Sequence, residues 1–284
     1  TLGAGKLTIV APGSKFTTPE PLSDPHNQYN LNSDKWICTI ADSREGWVES
    51  IRILLNAFYY GYELPTFCSD QIRPEGSLIK GFGGIASGPN PLVDLHQCLV
   101  KMYSEIIGQL ITSENIVDTQ NLIGRCVVAG NVRRSAALAL GQADDQQFLS
   151  LKDPTQIHEW EHELELQTKC KIPRYVIRNE ETEALEQKLK KERTQKLETI
   201  KAKIANHPLR HHRWGSNNSI DASNLTDFTE CAQLTVKNGE PGYIFLESAR
   251  TRGRFKDPPR DDDLKVMGFN PCVEQQLRRL SYYS

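Results

Sequence analysis

No apolar run in this sequence approaches the roughly 18 residues that a membrane-spanning helix needs, so no membrane partner is expected. No two cysteines stand at Cys-x-x-Cys spacing. The seven, Cys38, Cys68, Cys98, Cys126, Cys170, Cys231 and Cys272, are scattered along the chain. That scatter argues against a zinc site and against a disulfide scaffold, and no metal is expected. It also suits a reducing, cytoplasmic setting. Charge of one sign is nearly absent in the balance. A formal net charge of -2 offers nothing to a nucleic acid or to an anionic membrane surface. The opening residues, Thr1-Leu2-Gly3-Ala4-Gly5-Lys6, form neither a signal nor a transit peptide. They also lack an initiator Met, which raises the expectation of a piece of a longer protein.

What is present is ordinary for a globular protein: 284 residues, 38% hydrophobic and 25% charged. That length holds one large domain or two ordinary ones. Leu7 to Ala11 reads as a strand closed by Pro12-Gly13, and residues 12 to 35 read as loop. Asp42 or Ser43 can cap a helix whose apolar stripe is Trp47, Ile51, Leu54, Leu55 and Phe58. Leu92, Leu95, Leu99, Tyr103, Ile106 and Leu110 predict a second helix, and helical spacing resumes over 116–123. Ala136 to Leu140 reads as a small-residue strand. Tyr175-Val176-Ile177 could be another. Glu183 to Ala205 is charge-rich on a weak apolar stripe, and reads as an exposed helix within an inserted hairpin. His158 and His162 stand at i, i+4, but Glu159, Glu161 and Glu163 around them favour a solvated face over a metal site.

Three stretches carry chemistry. Asn270-Pro271-Cys272-Val273-Glu274 alternates an amide, a thiol and a carboxylate. Pro271 excludes a helix interior and a central strand. An extended loop would turn Asn270, Cys272 and Glu274 to one face, a set suited to redox work at sulfur with proton transfer. By spacing alone, a surface loop with a half-buried thiol is the stronger reading. Gly83 to Pro89 places glycines and Ser87 ahead of a helix, which suits an anion as well as it suits a plain connection. Gly130-Asn131-Val132-Arg133-Arg134 puts two arginines on a flexible turn. An anionic ligand or a solvated basic turn both fit, and the second prevails without other information.

These strings resemble, in order, the ribonucleotide reductases that depend on adenosylcobalamin. Asn270 to Glu274 is similar to that family's finger loop. Asp42-Ser43-Arg44-Glu45-Gly46-Trp47 resembles a stretch near the start of its barrel. Gly83-Gly84-Ile85-Ala86-Ser87-Gly88-Pro89 resembles a Gly-Gly-Thr-Ala-Ser-Gly-Pro segment, with Ile85 in place of Thr. Gly130 to Ala136 resembles the specificity loop between effector and substrate sites. Phe148 to Asp153 and Asn238 to Leu246 are also family-like. His211 to Ile220 resembles the monomeric triphosphate enzymes more than the dimeric diphosphate ones.

The resemblance implies an α/β fold, part of a ten-stranded α/β barrel with the finger loop at its centre. It divides the chain into the first part of the barrel with the specificity loop (1–153), a helical, charged connection (154–210) and a barrel continuation with the finger loop (211–284). It implies reduction of ribonucleoside triphosphates to deoxynucleotides, with adenosylcobalamin supplying a radical by homolysis of its Co–C bond. Cys272 would carry the thiyl radical, Glu274 would act as base and Asn270 would bond the sugar. Gly84, Ser87 and Gly88 would contact substrate, and Gly130, Asn131, Arg133 and Arg134 would form the specificity loop. A deoxynucleotide effector and a thioredoxin-type reductant would be partners. The family's pair of reducing cysteines has no counterpart here, with Cys38 and Cys68 poor substitutes, so this chain by itself is expected not to turn over. Two alternatives stay open: a Cys272 hydrolase with His211 or His212 as base, and a non-catalytic nucleotide-binding reductase segment.

Overall fold

A computed structural model describes residues 4–32, 34–79, 84–129, 135–170, 179–223, 227–252, 264–273 and 275–278. In chain order the elements are β1 (Gln28–Asn32), β2 (Lys35–Thr39), α1 (Arg44–Tyr60), β3 (Thr66–Cys68), β4 (Leu78–Ile79), β5 (Gly84–Ile85), α2 (Asn90–Glu105) and α3 (Ser113–Val128). There follow β6 (Ala137–Gly141), α4 (Gln146–Ser150), α5 (Thr155–Lys169), α6 (Glu180–Asn206), α7 (Pro208–His211) and β7 (Ser216–Asp221). The last are α8 (Thr229–Asn238), β8 (Gly242–Ile244), α9 (Leu246–Arg252), β9 (Val266–Phe269) and β10 (Gln276–Arg278).

The fold is mixed α/β. Strands β6, β7 and β8 form a parallel sheet with helices in the crossovers, while β1 pairs antiparallel with β2 and β2 parallel with β3. Strands β4–β5 and β9–β10 are separate antiparallel pairs. Among the described residues the strands stay in these four sheets and do not close into a barrel.

Helix α1 begins where the sequence places a cap: the Gly46 N–H donates to Ser43 Oγ at 3.0 Å. Leu54 and Phe58 of its stripe are fully buried, and Gly61 ends it in the left-handed region, φ 77°. Leu92, Leu95, Leu99 and Tyr103 of α2 meet that stripe, together with Ile9, Ile40 and Leu122. Helix α2 stops at Glu105, earlier than its apolar periodicity suggests. Leu110 is left exposed in the connection to α3, because a second cap, Thr112, accepts from the Asn115 N–H and starts α3 afresh. Leu7 to Ala11 is not a strand. Only Thr8 bridges to Leu110, while Ile9 and Leu7 exchange backbone bonds with residues 108–111. The stretch expected to be loop over 12–35 contains β1. Glu49 of α1 fixes it, accepting from the His26 and Asn27 N–H groups and from Tyr29 Oη. A second cluster, with Phe148, Leu149, Ile220 and Cys231, packs α4 and α8 on β7. Helices α5 and α6 are charge-rich and are linked by ion pairs such as Lys196–Glu163. Tyr175 to Ile177 lies outside the described residues.

His96 is buried between α1 and α2. Ser50 Oγ donates to the Trp47 carbonyl, so its lone pair accepts from His96 Nε2 at 3.0 Å. Burial pushes the His96 pKa down to about 4. The unfolded imidazole titrates near 6.5. Stability is therefore full above about pH 6.5 and declines as the pH falls toward 4, because there the unfolded chain binds a proton that the folded chain refuses. The expected loss is about 3 kcal/mol. Urea titrations at stepped pH should show it in the wild type and not in His96→Gln.

Candidate functional site

A cleft of about 350 Å³ opens between α1, the β4–β5 hairpin and the C-terminal half of α3. Three segments far apart in sequence converge on it: Asp42 to Val48, Ile85 to Gly88, and Ile123 to Val127. One wall is apolar, with Trp47 and Ile51.

 Leu95 completes that wall, and Ile85, 57% exposed, stands at the mouth where the family string has a Thr. The polar end is Arg73 and Asp42, whose Nε and Oδ2 lie 2.7 Å apart. Ser43 and the first turn of α1 face the same space, so the partial positive charge of that helix end adds to Arg73. Gly88 is in the left-handed region at φ 70°, and a Cβ there would come within 2.9 Å of the Glu75 nitrogen. Glycine is therefore required for the turn that carries Ser87 into the cleft. Burial pushes the Cys126 thiol at the cleft floor up to about 11, which keeps it protonated at neutral pH.

The predicted finger loop is a tight turn between β9 and β10 and not an extended segment. Asn270 Oδ1 accepts from the Gln275 N–H at 2.9 Å, and the Val273 N–H donates to the Asn270 carbonyl at 3.0 Å. Val273 takes φ 67° to complete the reversal. The reason is local: an Asn side chain before a Pro closes its own turn more readily than it stays extended. Alternation toward one face is thus lost at Asn270, whose carbonyl oxygen braces the hairpin. Cys272 stands exposed at the tip. Glu274 lies outside the described residues, as do Gly130, Asn131, Arg133 and Arg134. Asn217 Nδ2 of β7 donates to the Pro271 carbonyl at 3.0 Å, which anchors the hairpin to the parallel sheet. No described residue of 264–278 lines the cleft, so among the described residues Ser87 and Gly88 border a different space from Cys272. Around Cys272 the described residues supply an exposed thiol.

His211 and His212 are engaged elsewhere. Arg125 Nη1 can only donate, so His211 Nε2 accepts from it at 2.6 Å. The His211 proton then sits on Nδ1 and is donated to His212 Nδ1 at 3.0 Å. His212 Nε2 lies 3.0 Å from Asp118 Oδ1. Burial first, and the Arg125 charge second, hold the His211 pKa below the usual imidazole range. Neither ring is free to act as a base for Cys272.

The comparisons with known proteins decide the family. Residues 23–102 match the model of the B12-dependent ribonucleotide reductase insertion domain. An adenosylcobalamin-dependent ribonucleoside-triphosphate reductase of Euglena gracilis is 32% identical over 279 residues, 98% of this chain and 30% of that protein. The chain belongs to the B12-dependent ribonucleotide reductase family. A second such reductase, from Lacticaseibacillus paracasei, is 33% identical over 84% of this chain and 26% of its own length. A crystal structure of a B12-dependent class II ribonucleotide reductase superposes with a TM-score of 0.60 at 28% identity, covering 89% of this chain and 29% of that one. The chain therefore spans less than a third of the reductases it matches. The insertion-domain match includes the cleft residues Asp42, Trp47, Arg73, Ser87 and Gly88. No described helix is long and apolar enough to cross a membrane.

Proposed function

We propose that this chain serves the reduction of ribonucleoside triphosphates to deoxynucleotides, with adenosylcobalamin as cofactor, and that its cleft holds a nucleoside triphosphate. The convergence of the Asp42-to-Trp47 and Ile85-to-Gly88 strings on one cleft carries the reading. Their similarity to the family is spread over the sequence, yet they meet around a single space. The apolar wall suits a planar base, and Arg73 with the first turn of α1 suits phosphate. The loop of Gly130, Asn131, Arg133 and Arg134 begins shortly after Val127, the last cleft residue, a fitting place to connect bound nucleotide with specificity. Ser87 and Gly88, which line that cleft, are proposed to contact nucleotide there, with Gly84 of β5 next to the lining segment.

At the hairpin, Cys272 is proposed to take the 3′ hydrogen of the ribose as a thiyl radical, and Glu274 to accept the 3′ hydroxyl proton. The Asn270 oxygen already accepts from Gln275, which leaves its amide N–H groups to meet the sugar. No residue here is assigned to hold the cofactor, and the effector and the thioredoxin-type reductant are likewise part of the proposal. The engagement of His211 and His212 removes the support for a hydrolase.

Equilibrium binding tests the cleft. Arg73→Ala is expected to weaken a deoxynucleoside or ribonucleoside triphosphate about tenfold or more, through loss of a charge-assisted contact. Comparing the two nucleotide classes separates effector from substrate. Wild-type affinity in both Arg73→Ala and Ser87→Trp would place the nucleotide elsewhere.

A further inference from the structure

Asp94, Cys98 and His211, none of which lines the cleft or belongs to the hairpin, come together beside a second cavity. Asp94 and Cys98 are one helical turn apart on α2, so their side chains share a face. His211, at the end of α7, closes on them from more than a hundred residues away. One carboxylate oxygen, one sulfur and one ring nitrogen lie within 4.8 Å of one another, each on a half-buried residue. Arg125 now supplies the cation: Nη2 is 2.8 Å from Asp94 Oδ2 and Nη1 is 2.6 Å from His211 Nε2. Its side chain is one-third exposed and borders a cavity of about 250 Å³ between α2 and α3, which Asp94 also lines.

We infer that Asp94, Cys98 and His211 form a site for a divalent cation of the zinc class, which enters as Arg125 swings out. Three observations support it. The donor set is sulfur, nitrogen and oxygen, the mixture zinc accepts, and zinc bonds of about 2.0–2.3 Å require only a modest contraction of the present triangle. His211 Nε2 already acts as an acceptor, so its lone pair is available to metal once Arg125 leaves. The adjoining cavity gives room both for the displaced guanidinium and for a water as fourth ligand. On binding, the Cys98 thiol loses its proton to solvent and a metal–sulfur bond forms; Arg125 keeps its charge and moves to water. Cysteine spacing could not reveal this site, because it uses one cysteine and borrows its other donors from α2 and α7.

Cobalt(II) added to the whole chain is the probe, read by thiolate-to-cobalt charge-transfer absorption and displaced by zinc. The expected result is one equivalent bound with that absorption in the wild type, none in Cys98→Ser, and binding about tenfold tighter in Arg125→Gln. Should Cys98→Ser not fold, alkylation mapped by mass spectrometry decides on the wild type alone: zinc is expected to protect Cys98 and not the exposed Cys170 and Cys272. The inference is overturned if the wild type gives no charge-transfer band, if Cys98→Ser keeps it, or if zinc leaves Cys98 as reactive as before. A band in Arg125→Gln alone would make Arg125 the permanent cation and overturn it equally.

Discussion

Arg213→Ala is expected to destabilise the fold by about 3–5 kcal/mol, the cost of removing one partner from a buried ion pair. Arg213 is buried and forks onto Asp118: Nε donates to Oδ1 at 2.6 Å and Nη2 to Oδ2 at 2.7 Å. Nη2 also reaches Glu114, and Nη1 donates to the Leu151 carbonyl at 2.8 Å. One side chain thus ties α3 to the segment after α4 and to the approach to β7. Burial alone would lower the Arg213 pKa, but bonds to Asp118 and Glu114 outweigh it and raise the value. Burial works against the Asp118 charge too, and Arg213 and His212 overcome it, so that carboxyl sits below its usual range. The pair's contribution is then complete above the unfolded carboxyl pKa of about 3.9 and is lost as the pH falls through the lower folded value. Without the guanidinium the acid transition should move to higher pH. Arg213→Lys keeps charge without the fork and should fall between. Arg213→Met with Asp118→Leu should recover much of the loss, since no lone buried charge remains. Urea midpoints for the four proteins check this; an Arg213→Ala loss below about 1 kcal/mol would show that water relieves Asp118.

Much of this architecture is legible in local sequence, and the limits follow from where each interaction is made. Ser43 caps α1 from three residues away, and Leu92, Leu95 and Leu99 mark a buried face by spacing alone, so both can be read from the chain. The end of α2 could not, because Leu110 continues the pattern while the Thr112 cap interrupts it. Arg213 also left no signal. Its partners Asp118 and Glu114 lie 95 and 99 residues upstream, beyond the reach of any local pattern. The cleft was half legible: resemblance singled out Asp42 to Trp47 and Ser87, while Arg73 and Cys126 joined them only through folding. Glu49 orders β1 through two backbone N–H groups and Tyr29, partners 20 to 23 residues away that no helical spacing points to. Asn270 shows the opposite error, where alternation suggested a shared face and the side chain instead spent its acceptor on the turn.

On the proposed reading, Cys272→Ser in a catalytically competent reductase containing this chain should reduce deoxynucleotide formation to background. Its stability should stay within about 0.5 kcal/mol of wild type. The hairpin does not depend on the sulfur: Asn270, Val273 and Gln275 close the turn, and Asn217 holds the Pro271 carbonyl. Cys272 is exposed, so serine neither opens a cavity nor buries a hydroxyl. Nucleotide affinity should also persist, because no described residue of this hairpin lines the cleft. Only chemistry is left to change. Serine keeps the shape and a proton donor, but its O–H bond is too strong to give up hydrogen and form a comparably stable radical. The expected signature is therefore a collapse of kcat with intact folding and binding, the pattern of an interaction made only in the transition state. Asn217→Ala offers a graded comparison: it frees the Pro271 carbonyl while leaving the thiol, so turnover should fall without vanishing. Substantial turnover in Cys272→Ser would remove Cys272 from the chemistry and leave the hairpin a structural turn.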